Sequence, residues 1–135
     1  MGYADNLNSF NREIEKFASG IPDKVVTLQK KIVGEALRRI VMRTPVKTGR
    51  AKLNWQVSIN EPAEGTIDEG FSPNIRDGEV IEKGLVALAT LPPYSVVWIA
   101  NNLEYIEFLE HGSSKKAPDG MVALAVQELE QMFKK

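Results

Sequence analysis

The sequence predicts an α+β fold, with a small, mostly antiparallel sheet packed by a long N-terminal helix and a C-terminal helix. Three patterns carry this expectation. Apolar residues recur at helical spacing across 24–43 and again across 121–133, Leu53 to Asn60 alternates strictly, and Ser95 to Ala100 is rich in β-branched and aromatic residues. At 135 residues the chain fits a single domain, 1–135, and is long enough to bury a core of its own.

The first helix is expected from Leu7, Phe10, Ile14 and Phe17, and Gly20-Ile21-Pro22 is expected to end it, so that 1–22 forms a peripheral N-terminal helix. Asp23 would then cap a second helix. Its apolar positions, from Val25 through Val33 and Leu37 to Val41, span an arc of roughly 220°, about twice the stripe a surface helix needs. Such a helix has two things to pack on, the sheet and either the first helix or a neighbouring subunit.

Pro45 stops this helix, because it lacks an N–H and disfavours helical geometry at Thr44. Lys47-Thr48-Gly49-Arg50 is a turn in which Gly49 can take positive φ. The alternating run Leu53 to Asn60 follows as a half-buried strand with Trp55 facing inward. Residues 61–75 are acidic and punctuated by Pro62, Gly65, Gly70 and Pro73, which predicts a mobile loop. A third helix is expected over 76–90 despite Gly84, then a central strand over 95–100 whose Trp98 belongs to the core. Asn101 or Asn102 is placed to cap a short helix through Leu103, Ile106 and Leu109, with Gly112 as its left-handed terminator. Pro118-Asp119-Gly120 precedes the last helix, whose apolar residues lie within an arc of roughly 140°.

Hydrophobic residues at 43% and charged residues at 26% are ordinary globular values, which exclude a disordered or fibrous class. No apolar run approaches the ~20 residues of a bilayer span, and Met1 to Asn6 has neither the basic nor the apolar region of a secretory signal. With no cysteine, disulfides and thiolate chemistry are excluded. These features predict assembly in a cytoplasm without a membrane partner. Charge is unevenly spread: residues 1–60 carry 11 Lys and Arg against 5 Asp and Glu, whereas 61–114 carry 2 against 10. A basic front and an acidic middle can attract one another within a subunit or between neighbours.

Chemistry is sparse. The single histidine, His111, would share a helix face with Glu107 at i, i+4, a spacing that can orient a base or begin a metal site, but no second histidine completes it. Ser113 and Ser114 lie near it without a nucleophile elbow. No phosphate loop or dinucleotide fingerprint is present, and no cofactor is implied. The basic residues Lys30, Lys31, Arg38, Arg39, Arg43, Lys47, Arg50 and Lys52 raise an alternative, a basic-helix nucleic-acid-binding module. Against it stand a pI near 5.9 and the lack of interleaved aromatics for base stacking.

Two clusters remain. The first is Pro45, Thr48-Gly49-Arg50 and Trp55; the second is Asn101-Asn102, Tyr105 and Glu110-His111-Gly112-Ser113, followed by Ala117-Pro118-Asp119-Gly120-Met121. In order and spacing, over about Val33 to Phe133, they resemble the tail-completion and head-to-tail joining proteins of long-tailed bacteriophages. The resemblance implies a structural, non-enzymatic subunit of a ring, expected six-fold, that caps the tail tube and docks to the neck. Its partners would be copies of itself, the tail-tube protein and the head-neck connector protein. Its place would be the virion, after assembly in the host cytoplasm. On this reading Pro45, Gly49, Gly112 and Pro118 are structural turns. Arg38, Arg39, Arg43 and Arg50 are candidates to meet Glu104, Glu107 and Glu110 across subunit interfaces, with Arg50 facing Glu110 as one specific pairing.

Overall fold

Forty-one residues, Tyr3–Arg43, form one α-helix, α1. A computed structural model describes residues 3–111 and 120–133, with side chains from residue 21 onward within that range. The expected break at Pro22 does not occur, and Asp23 is not a cap. Pro22 lies inside the helix, and the Thr27 hydroxyl donates to the Asp23 carbonyl one turn back (2.9 Å). A proline inside a helix removes one backbone bond and crowds the preceding turn, at about 3 kcal/mol. Helix-favouring residues on both sides carry the helix through it. The spacing of Leu7, Phe10, Ile14 and Phe17 lies outside the described side chains.

The second correction follows the turn after α1. Arg50–Leu53 is a helical turn, α2, and strand β1 spans only Gln56–Ile59. The turn forms because Gly49, at φ +85°, lets the backbone re-enter a helix, with the Leu53 N–H reaching the Gly49 carbonyl (3.1 Å). Alternation from Leu53 to Asn60 therefore combines a helical turn, a bend at Asn54 and a short strand. Trp55 is buried as expected, but from just before the strand.

Helix α3, Asp77–Val86, packs on α1, and strand β2, Val97–Ala100, pairs antiparallel with β1. The sheet has two strands, so β2 is an edge and not a central strand. Val57 pairs with Ile99 and Ile59 with Val97, and all four pack inward. The opposite register sends Trp98 out to 41% exposure, where its indole N–H donates to the Asn60 carbonyl (3.1 Å). The expectation of a core Trp98 fails because Val97 and Ile99 take the inward positions of a period-2 strand. Gly84 is in α3 for room: a β-carbon there would lie 2.4 Å from Leu37 Cδ2 and 3.0 Å from Val57 Cγ2.

Helix α4, Ile106–Glu110, and helix α5, Val122–Phe133, complete the fold, with α5 lying on α1. The main core gathers Leu37, Ile40 and Val41 of α1 around Trp55, Val80, Met121 and Ala125. A second cluster of Val33, Leu88 and Leu91 underlies the sheet. The fold is thus α+β, with the long N-terminal helix packed against the C-terminal one.

Candidate functional site

The first sequence cluster is held by hydrogen bonds that its residues make with one another. Thr44 is fully buried, and its hydroxyl donates to the Ile40 carbonyl (2.7 Å) while accepting the Trp55 indole N–H (2.8 Å). That pairing satisfies both polar groups in the core, which is the condition for burying them. Gly49 is required twice over. Its φ is left-handed, and a β-carbon would stand 2.0 Å from the Ser72 carbonyl oxygen. Arg50 donates to Asp68 (2.8 Å); the pairing raises the guanidinium above its ordinary value and, with the Thr66 hydroxyl, holds the Asp68 carboxyl below its own.

Sequence reasoning passed over Asn54. It is fully buried; its amide donates to the Arg50 and Ile67 carbonyls (2.8 and 2.9 Å), and its oxygen accepts the Ile67 N–H (2.7 Å). Asn102 donates to the Ala63 and Gly65 carbonyls (2.8 and 3.0 Å). The segment expected to be mobile, 61–75, is therefore fastened at Ala63, Gly65, Ile67 and Asp68. Asn101 meanwhile donates to Ala51 (3.0 Å) and accepts the Leu103 N–H (3.2 Å). Neither asparagine caps α4, whose N-terminal cap position is Tyr105. Asn101 instead ties the end of β2 to the first cluster, and Asn102 ties it to the 61–75 segment.

Glu110 requires the largest correction. Its Oε1 accepts the N–H groups of Met121 and Val122 (2.8 and 2.9 Å), and its Oε2 accepts that of Ala123 (2.9 Å). These are the otherwise unpaired donors at the start of α5, where a carboxylate is favoured by both hydrogen bonding and the helix dipole. Burial pushes the Glu110 carboxyl up, but the N–H groups of Val122, Ala123 and Met121, with the His111 charge, outweigh it and hold it below 4.5. Gly120, at φ +92°, makes the approach possible, since a β-carbon there would lie 2.8 Å from both the Glu110 carbonyl oxygen and Oε2. Glu110 is thus committed within its own chain, as is Arg50. Both residues therefore have partners within the chain before any subunit contact is made.

Arg38, Arg39 and Arg43 of α1 are also engaged internally. Arg38 pairs with Glu35 (3.3 Å), Arg39 pairs with Glu35 and lies 3.8 Å from Glu128, and Arg43 pairs with Glu128. Hydrogen bonds from Arg39 and Arg38 hold the Glu35 carboxyl below its ordinary value. Arg39 and Arg43 therefore join α1 to α5, while Arg38 keeps an exposed guanidinium. Lys52 is buried and pairs with Asp77, which closes α2 onto the start of α3. Of the eight basic residues behind the nucleic-acid alternative, Arg38, Arg39, Arg43, Arg50 and Lys52 thus have acidic partners within the chain. Glu104 and Glu107 are exposed, as the interface expectation requires, and so is His111, whose backbone N–H donates to the Glu107 carbonyl (3.0 Å). Among the described residues no group of three or more His, Asp or Glu side chains gathers to hold a metal ion. Gly112, Ser113, Ser114 and Pro118 lie outside the described residues.

Between the two clusters is a cleft of about 660 Å³, with Pro45, Lys47, Gly49 and Arg50 on one wall and Tyr105 and Leu109 of the α4 region on the other. Its lining is mostly apolar, with Lys47, Thr48 and Arg50 supplying polar atoms. No helix among the described residues is long and apolar enough to cross a membrane. No protein-family model, curated protein or solved structure matches the chain.

Proposed function

We propose that the chain is a structural assembly protein of a long-tailed phage or prophage, a tail-completion or head-to-tail joining subunit. Copies close into a ring, expected six-fold, that caps the tail tube and docks to the connector of the neck. The observation that carries this reading is the ordered pair of clusters, which resemble that family in order and spacing and whose residues Pro45 to Ala51, Tyr105 and Leu109 line one cleft. Asn101 ties the second cluster to Ala51 of the first, and Tyr105 and Leu109 face Pro45 to Ala51 across the opening. The work of such a subunit is covering a polymerising edge, and it needs no catalytic residue.

Closure by rotation demands two different faces on each subunit, since one self-complementary face gives only a dimer. Light scattering during size exclusion, across a concentration series at low salt, is expected to show one discrete oligomer growing at the expense of monomer. An open-ended distribution of masses would contradict closure.

A further inference from the structure

Two exposed faces of opposite charge stand far apart on the subunit. One is on α1, where Lys24, Leu28 and Lys31 recur at helical spacing beside Lys30, all of them exposed. Leu28 is 50% exposed and lines a shallow cleft of about 330 Å³ whose walls include the stems of Lys24 and Lys31. Among the described residues, Asp23 is the one acidic residue on this cleft. The other face is built by α4 and the 61–75 segment. Phe108, 70% exposed, stands beside the exposed carboxylates of Glu104 and Glu107. Asn102 holds Ala63 and Gly65 next to them, which brings exposed Glu64 into the same acidic field.

The α4 face belongs to the Thr44 end of α1, because Tyr105 and Leu109 share a cleft with Pro45 to Ala51. From Leu28 to Thr44 is about 24 Å of helix at 1.5 Å per residue. One chain cannot bring these two faces together, but two copies can. We propose that they are the two halves of the subunit contact. Phe108 of one copy seats on Leu28 of the next, between the carbon stems of Lys24 and Lys31, and Glu104 and Glu107 meet the two ammonium groups. A large apolar side chain ringed by opposite charges is the expected anatomy of a specific interface. Because the faces differ, the contact is head-to-tail, the type that closes rings. This contact deepens the ring assignment and rests on it. In place of Arg38, Arg39 and Arg43 it uses lysines about two to five turns nearer the N-terminus of α1.

Two charge reversals test it. Lys24→Glu with Lys31→Glu gives a subunit with two acidic faces, and Glu104→Lys with Glu107→Lys gives one with two basic faces. All four residues are exposed, and an unchanged circular dichroism spectrum is expected for both variants, with a slightly lower melting temperature only for the first, in which Lys31→Glu removes an ammonium 5.9 Å from the centre of the Phe133 ring. Each variant alone is expected to associate roughly a hundredfold more weakly than wild type, since like charges are juxtaposed at every contact. An equimolar mixture is expected to recover the wild-type mass with both variants in equal amounts, because every contact is again between opposite charges. Variants that each assemble like wild type would overturn the contact and leave a ring held elsewhere. Two crippled variants that fail to rescue one another would overturn it as well. A wild-type chain that stays monomeric at low salt over the whole concentration range would also overturn it, whereas ring formation templated by the tail tube would still be open to direct observation on tubes.

Discussion

Gly49→Ala is expected to lose about 4 kcal/mol of stability, close to the whole margin of a marginal domain. The conformational part is the smaller. An alanine at φ +85° costs about 1–2 kcal/mol. The rest comes from space, because its β-carbon would overlap the Ser72 carbonyl at 2.0 Å and force the 61–75 segment off α2. Gly65 separates the two contributions. It has a similar φ, +76°, but nothing lies within 4 Å of the corresponding β-carbon. Gly65→Ala is therefore expected to lose only the conformational part. Chemical denaturation of both variants measures the difference, and equal losses would mean that the Gly49–Ser72 approach is relieved at little cost.

Glu110→Ala is expected to cost about 2–3 kcal/mol, because three N–H groups at the start of α5 lose their acceptor beside the buried Met121. The loss should depend on pH in a defined direction. The folded carboxyl titrates below its ordinary value of 4.5. A carboxylate depressed on folding contributes stability that is fully present above its unfolded pKa and is lost as pH falls through its folded pKa. The gap between wild type and Glu110→Ala should accordingly be constant above about pH 5 and narrow below the ordinary carboxylate value. Taking the difference between the two proteins removes the acid sensitivity that Asp68 and Glu35, also depressed, contribute to both. A gap that stays constant down to the acid transition would show that the charge of Glu110 contributes nothing to capping α5.

The helices were legible because their apolar residues recur with the helical period and lie on faces that the structure buries. Leu37, Ile40 and Val41 are in the core, and so are Met121 and Ala125. The strands were legible as alternation, but their limits were not. Leu53 ends a helical turn and Trp55 directly precedes the strand, so their spacing of two matched a strand pattern although neither is in the strand. Pro22 was read as a stop because local preference is strong there, yet it is outweighed by the residues that continue the helix on either side.

The site was legible as a set of residues and not as a set of roles. Gly49 was recognised as a turn from its type alone. Glu110 looked like a surface carboxylate because its acceptors' partners, the N–H groups of 121–123, are backbone atoms that carry no signature in side-chain spacing. One signal was available: a glycine just before a helix that begins with no Ser, Thr or Asp in the cap position leaves its first donors to be met from elsewhere in the chain. The buried amide of Asn54 had no comparable signal, because a buried and an exposed asparagine look alike in sequence.

The most direct test of the proposed role is electron microscopy of long-tailed phage tail tubes, built from a tube protein encoded in the same genome as the chain, incubated with the purified protein and with tube monomer. A capping ring should appear as extra density at one end of each tube, the end that joins the head, and elongation there should stop. Tubes that lengthen at the same rate with both ends bare, at protein concentrations well above that of tube ends, would contradict a tail-completion or joining role.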